Sequence, residues 1–324
     1  MVSKNKVIMK RYKVVIIGLG RVGMGYGLDP KRTQPASHIA AIIKNKNLQL
    51  SAICDSDKNR RSVFVKNYGN IAHIYDNYYK MIQDLNKKII DYDIIVIATP
   101  DSTHSKILTY IIKNLKIPKK QIIIFCEKPL ALNSKIAKKL RFLPRNSNLN
   151  VVVNHSRRWS KVWQEAKRLT ANIGYIQKAS FYFSTSPENK EISQIRDGIH
   201  IADLIAWLKI TEKTTVTRLK LPYFIYDFHL WGTRGKIEVL NWGEVLNFFR
   251  VEKSSHFQGF KELKLVFSKK ERESLMANTY EEFVKFLDGR KKSLSTNFND
   301  AIDAVEIFEK CVFDKKLSIN NTQT

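Results

Sequence analysis

"VVIIGLGRVGMGYGLDPKRTQPASH", residues 14–38, decides the fold. Val14 to Ile17 is an apolar, β-branched run that reads as a strand. Gly18, Gly20 and Gly23 follow it in GxGxxG spacing. The first glycine turns the chain tightly. The second lets backbone N–H groups, with Arg21 and Val22 beside it, approach a pyrophosphate. The third lets helix and strand pack closely. Then the pattern departs. Gly25, Gly27, Pro30 and Pro35 stand where a helix ought to run, and the helical pattern resumes only at "SHIAAI", from Ser37 and His38. Each of those glycines costs a helix about 1 kcal/mol relative to alanine, and the prolines oppose it further. Residues 24–36 are therefore expected to be an irregular loop rimming a ligand cleft, with the basic "PKRTQ" turned towards an anionic ligand.

Working outward, short β-branched runs at 12–17, 48–54, 94–98, 122–126 and 151–154 alternate with helical patterns near 38–46, 57–68, 77–88, 103–116 and 134–140. That alternation implies a parallel sheet covered on both faces. The second run ends at Cys54-Asp55, where a carboxylate accepts both hydroxyls of an adenosine ribose. Asp55 favours NAD, because a carboxylate repels a 2′-phosphate. Lys58, Arg60 and Arg61 lie just beyond and leave NADP open. In "IATPDSTHS", 97–105, an apolar strand breaks at Thr99-Pro100. This loop falls at the carboxyl edge of the sheet, so Thr99 and Pro100 line the cofactor. His104 belongs to the same cofactor-facing loop, where it packs or caps locally rather than doing chemistry.

The second half changes character. A helical stretch at 159–171 leads to an alternating strand at 176–184, and a helix follows at 195–209. Strand-like runs come at 214–221, 223–231, 236–241, 244–251 and 260–267, separated by turns such as "GTRG" and "NWGE". Two helices close the chain, at 274–288 and 299–313, the second capped by Asn299. The expected architecture is α/β: an N-terminal Rossmann doubly wound parallel sheet, residues 1–153, and a C-terminal α/β domain with an open, mostly antiparallel sheet, residues 154–324.

The chain of 324 residues is long enough for two such domains. No stretch approaches the ~20 apolar residues that span a bilayer, and a cytoplasmic protein is expected. Three scattered cysteines, without CxxC spacing, argue against a disulfide framework and a structural zinc site; Cys54 and Cys126 end apolar runs and read as buried thiols. The net charge is +26, but the lysines are spread from end to end, which suits an anionic substrate better than a nucleic-acid surface. No His, Asp or Glu cluster has metal-ligand spacing.

"FCEKPLA", 125–131, completes a set of motifs that resembles the Gfo/Idh/MocA family of NAD(P)-dependent oxidoreductases, the glucose–fructose oxidoreductase and inositol dehydrogenase group. The set runs in order: the glycine turn, Asp55, "ATPDSTH", "EKP", "NHSRRW", "DGIHIAD" and "GTRGKIE". The resemblance implies hydride transfer to or from a sugar-type substrate or cyclitol, and a homodimer or homotetramer formed through the C-terminal sheet. It implies that Lys128 points at nicotinamide and substrate, with Pro129 in a cis bond. The chemistry agrees, since an ammonium beside a reacting oxygen stabilises developing negative charge. Glu127 is assigned to the cofactor or to pairing with a base.

In "RDGIHIADLIAWL", 196–208, Asp197, His200 and Asp203 recur at three-residue spacing and share a helix face. A histidine near a carboxylate suits acid–base work near neutral pH. Similar proteins use this histidine to take the hydroxyl proton, a role carried here to His200. Many of them place an acid four residues earlier, where this chain has Arg196, so Asp197 is the expected partner. In "NHSRRWS", 154–160, Asn154, Arg157 and Arg158 are expected at the substrate, because guanidinium forks suit carboxylates and phosphates. If so, the substrate is an acidic or nucleotide-linked sugar. The aromatic strand "YFIYDFHLWG", 223–232, is expected to bury one face against another subunit. The alternative function is a non-catalytic dinucleotide sensor of the same fold, the Arg196 departure and the basic charge being its support.

Overall fold

The computed structural model describes residues 10–184, 192–210, 213–219 and 221–313, with the backbone alone described in 192–197 and 311–313. Two compact units form. The first comprises the chain up to Glu127, Phe142–Asn154 and Met276–Asn297; the second comprises Lys128–Arg141, His155–Leu275 and the chain from Phe298. The helices of the described residues are α1 (His38–Lys44), α2 (Lys58–Tyr68), α3 (Tyr78–Asn86), α4 (His104–Asn114), α5 (Ser134–Leu140), α6 (Lys161–Leu169), α7 (Ile192–Leu208), α8 (Leu275–Leu287) and α9 (Phe298–Phe313). None is long and apolar enough to cross a membrane.

The first unit is built on β1 (Tyr12–Ile17), β2 (Leu48–Cys54), β3 (His73–Tyr75), β4 (Ile94–Ile97), β5 (Ile122–Cys126) and β6 (Leu149–Val153). Their order is β3-β2-β1-β4-β5-β6 and every pair is parallel. β4 and β5 are buried along their whole length, as a sheet covered on both faces requires. Polar side chains start the helices: Ser37, Asp57 and Asn77 accept N–H groups at the heads of α1, α2 and α3. The strand order reverses between β1 and β4, the place where open sheets of this kind bind ligands. Strand β3 escaped the sequence reading because it is three residues long and exposes His73 and Ile74. Cys54 and Cys126 are buried, free thiols; burial first, then Asp55, pushes the Cys54 thiol up to about 12. The side chain of Cys311 lies outside the described residues.

Between Gly23 and α1 the chain makes the expected irregular loop, with a single 3-10 turn at Gly25–Leu28. Its two basic residues, Lys31 and Arg32, are exposed, and Arg32 is engaged within the loop. The Arg32 guanidinium lies 3.6 Å over the Tyr26 ring and 3.3 Å from Asp29, and Gln34 donates to the carbonyls of Tyr26 and Asp29. Where the loop ends, His38 N–H donates to Val22 O and Ile39 N–H to Gly23 O, both at 3.0 Å.

The second unit holds β7 (Ile176–Ser184), β8 (Thr214–Arg218), β9 (Ile225–Gly232), β10 (Gly235–Leu240), β11 (Val245–Lys253) and β12 (Lys261–Lys270), in the order β12-β11-β10-β9-β7-β8. All pairs are antiparallel except β7 with β8. In β9 the period-2 pattern buries Tyr226, Phe228 and Leu230, and these join Trp163 of α6 and Leu204 and Ile205 of α7 in one core. Gly198 of α7 lets α9 approach: a Cβ there would lie 2.4 Å from the Phe308 ring. Helix α9 opens at Phe298, so Asn299, expected as its cap, lies inside the first turn.

Candidate functional site

In the first unit the glycine turn has the geometry its spacing implies. Gly18 has φ +104°, and a Cβ there would lie 2.3 Å from Ala98 O at the end of β4. A Cβ on Gly23 would lie 2.2 Å from Gly18 O. Only glycine fits either position. Beside Gly20 the space is open, with the Arg60 tip 3.9 Å from a Cβ placed there. Helix starts leave N–H groups without intrahelical partners, and these attract phosphate. Arg21 is exposed and Val22 half-buried on this turn. The chain here fits a dinucleotide's pyrophosphate.

Asp55 is buried at the end of β2. Its Oδ2 accepts Leu19 N–H at 2.7 Å and its Oδ1 accepts Asp57 N–H at 2.9 Å, so it braces the glycine turn. Each carboxylate oxygen has a second lone pair for a ribose hydroxyl. The half-exposed Arg60 guanidinium lies 3.6 Å from Asp55 Oδ2, whereas Arg61 is tied to the carbonyls of Asp55 and Ser56. Thr99 accepts from Thr103 Oγ1 at 2.7 Å, Pro100 is exposed, and buried His104 bonds Thr99 O through Nε2 at 2.8 Å.

At the end of β5 a buried network holds Glu127. Its Oε1 bonds His38 Nε2 at 2.9 Å and accepts Asn154 Nδ2 at 2.6 Å, while His38 Nδ1 bonds the Tyr280 hydroxyl at 2.9 Å. His38 comes from α1, Asn154 from the end of β6 and Tyr280 from α8. Asn154, expected at the substrate, is thus engaged with Glu127. Burial, reinforced by Glu127, pushes the Tyr280 hydroxyl up.

The second unit gathers another polar group. Lys128 begins it, with a cis bond to Pro129. Arg158, expected at the substrate, is buried and grips Asp203 through three hydrogen bonds of 2.7–3.1 Å and Asp300 through a fourth of 2.9 Å. Asp203 is therefore engaged by Arg158 rather than by His200, and the histidine nearest to it is His155, 3.6 Å away. His155 is 1% exposed, and neither ring nitrogen has a hydrogen-bond partner among the described residues. Burial lowers its pKa, opposed by Asp203 and assisted by Arg158. His200 is buried and its Nδ1 also has no partner among the described residues. Burial drives its pKa well below the histidine range, and Arg157, Lys128 and His155 reinforce this. Both rings are neutral near pH 7. Arg157 is half-buried, its guanidinium 4.7 Å over the Tyr226 ring. The side chain of Asp197 lies outside the described residues.

Two groups of expected residues are thus each brought together: the glycine turn with Asp55, and Lys128 with Arg157 and His200. The sequence reading missed His38 and Tyr280 as partners of Glu127, and His155. "SH" at 37–38 was the visible trace of the first; Tyr280, 153 positions from Glu127, left none.

A family model described as "Oxidoreductase family, NAD-binding Rossmann fold" matches residues 12–155. Inositol 2-dehydrogenase of Salmonella typhimurium is 23% identical over 212 residues, 63% of this chain and 56% of that protein. The chain thus matches little more than half the length of such curated relatives. A dehydrogenase from Chromobacterium violaceum superposes with a TM-score of 0.70 at 14% identity, over 93% of this chain and 94% of that one. A 3-ketoreductase from Actinomadura kijaniata, solved with NADP and TDP-benzene, gives 0.66 at 12% identity, over 93% and 97%. The structural likenesses establish a shared fold. Residues 12–155 thus match the NAD-binding Rossmann domain of the Gfo/Idh/MocA oxidoreductase family.

Proposed function

We propose that the chain is an NAD(P)-dependent dehydrogenase acting on a secondary alcohol of a sugar, a sugar derivative or a cyclitol. A bound dinucleotide supplies the hydride chemistry, through C4 of its nicotinamide. The chain's own residues handle the proton and the charge. In alcohol oxidation His200 accepts the hydroxyl proton on a ring nitrogen, and Lys128 donates hydrogen bonds to the same oxygen as negative charge grows there. Asp197 serves as the carboxylate partner of His200. Glu127, fixed by His38 and Asn154, holds the end of the strand that leads into Lys128.

The observation that carries this reading is the state of His200: buried, neutral, unpartnered at Nδ1 among the described residues and within the influence of Lys128. A base must be unprotonated to take a proton, and this one is so across neutral pH. The activities of similar proteins, an inositol 2-dehydrogenase and a 3-ketoreductase, support a polyol or sugar as substrate. Asp55 supports NAD, and exposed Arg60 beside it accommodates NADP. Half-buried Tyr182, His229 and Trp231, in ring contact on one sheet face, support assembly of copies through that sheet.

The test is a screen of polyols, sugars and nucleotide sugars for NADH formation, with His200→Ala alongside. The reading requires a substrate whose turnover falls at least a hundredfold in the variant while NADH binding persists. Full turnover by His200→Ala would remove the role given to it.

A further inference from the structure

We propose that Arg157 is an anion receptor and that the substrate carries a carboxylate or phosphate group; this rests on the dehydrogenase reading above. Asp203 and Asp300 both bond Arg158, so that guanidinium is spent on carboxylates of its own chain. Arg157, the next residue back, is different. No carboxylate of the described residues lies within ion-pair distance of it, and its hydrogen bond is a long one, 3.4 Å to the neighbouring Ser156 hydroxyl. The protein nonetheless holds it in place. Its guanidinium lies over the Tyr226 ring at 4.7 Å, and Tyr226 is stacked on Trp242 at 5.7 Å with an angle of 18° between the rings. A planar cation resting on aromatic rings keeps its N–H fork oriented without consuming it.

A second observation points the same way. Next to Arg157 stand two buried histidines with orphaned nitrogens, both of His155 and Nδ1 of His200. A buried polar atom without a partner costs about 1–3 kcal/mol, so a phenylalanine or leucine would serve packing better. The same neighbourhood also holds Lys128, whose charge acts on both rings. Arg157 and Lys128 thus set positive charge beside two neutral rings, each of which offers one donor and one acceptor nitrogen. A ligand supplying acceptor oxygens, and negative charge to balance Arg157, completes this set; a neutral sugar supplies the first and not the second. Guanidinium and carboxylate, or guanidinium and phosphate, match in planar two-bond geometry.

The experiment uses the whole chain with NADH present and measures binding by calorimetry. The probes are a uronate, the neutral hexose of the same configuration, the corresponding hexose 6-phosphate and inorganic phosphate. The expected result is tighter binding of the uronate or the sugar phosphate than of the hexose. Arg157→Gln then weakens the anionic sugar roughly 10- to 100-fold and leaves the hexose unchanged. Arg157→Lys keeps most of the phosphate affinity and loses more of the carboxylate affinity, since an ammonium is a point charge rather than a fork. The stronger of the two anionic sugars identifies the group. Equal binding of hexose and anions, equal losses in Arg157→Gln for both, or binding of none of the four overturns the proposal. NADH titrated alone tests the dinucleotide reading separately: NADH that binds without anion preference sinks Arg157 only, whereas no NADH binding sinks the reading beneath it.

Discussion

The Arg158 clamp permits a worked stability prediction. In Arg158→Met the stem of the side chain is largely kept and the guanidinium is lost. Asp203, 1% exposed, is then left as a buried carboxylate without its cation. Removing one partner of a buried pair costs about 3–5 kcal/mol. The Asp300 side chain is 28% exposed, so water takes over there and its share stays below about 1 kcal/mol. The sum is a loss of about 3–5 kcal/mol, nearly all of it due to Asp203. The paired variant Arg158→Met/Asp203→Leu should recover most of this, because no stranded charge remains. In the single variant the abandoned carboxylate takes a proton more readily folded than unfolded, so its deficit should narrow as pH falls towards 5. Urea unfolding, followed by tryptophan fluorescence and circular dichroism, measures the parent and both variants. A loss under about 1 kcal/mol, or a paired variant no more stable than the single one, would refute the reasoning.

The two buried histidines make stability depend on pH. His155 and His200 have folded pKa values below the unfolded value near 6.5, so the unfolded chain binds protons first, and stability present above pH 6.5 is lost as pH falls through it. His155→Leu should therefore make the urea midpoint fall less steeply as pH drops below 6.5. Gly18→Ala should cost roughly 2–5 kcal/mol, from its overlap with Ala98 and its positive φ, and abolish NADH binding. Gly20→Ala should melt within a few degrees of the parent yet bind NADH weakly, since the added methyl meets the phosphates rather than the protein. Leu in place of His38 should cost about 2–4 kcal/mol by stranding Tyr280 and Glu127, with non-additivity against Tyr280→Phe in thermal melts. Arg60→Ala should raise the Kd for NADPH several-fold more than that for NADH in fluorescence titrations.

Most of the architecture was legible because it rests on local patterns. β-branched runs broken by glycine and capped helices wrote out the parallel sheet, and the alternation of 225–231 wrote out the face of β9. β3 was invisible because three residues, two of them exposed, carry no period. The parallel pairing of β8 with β7 was equally hidden, since pairing partners are chosen in three dimensions. Site chemistry was legible where a motif forces a backbone, as at Gly18 and Gly23. It failed where side chains choose among partners. Arg157 and Arg158 are identical and adjacent in sequence, yet one is buried between two carboxylates and the other rests on an aromatic ring. Only the fold, by bringing Asp203 and Asp300 to one of them, tells them apart.

The loop after Gly23 has a consequence for how this domain tolerates change. An unbroken helix pairs Val22 O with the N–H four residues on; here that carbonyl takes His38 N–H, sixteen residues on, and Gly23 O takes Ile39 in the same way. The helical screw therefore continues across the gap as though the intervening residues were absent. The loop leaves from one step of the staircase and returns to the next, so its length is invisible to the strand before it and the helix after it. It behaves as a cassette spliced into a helix, free to be lengthened, shortened or rewritten while the phosphate turn keeps its aim.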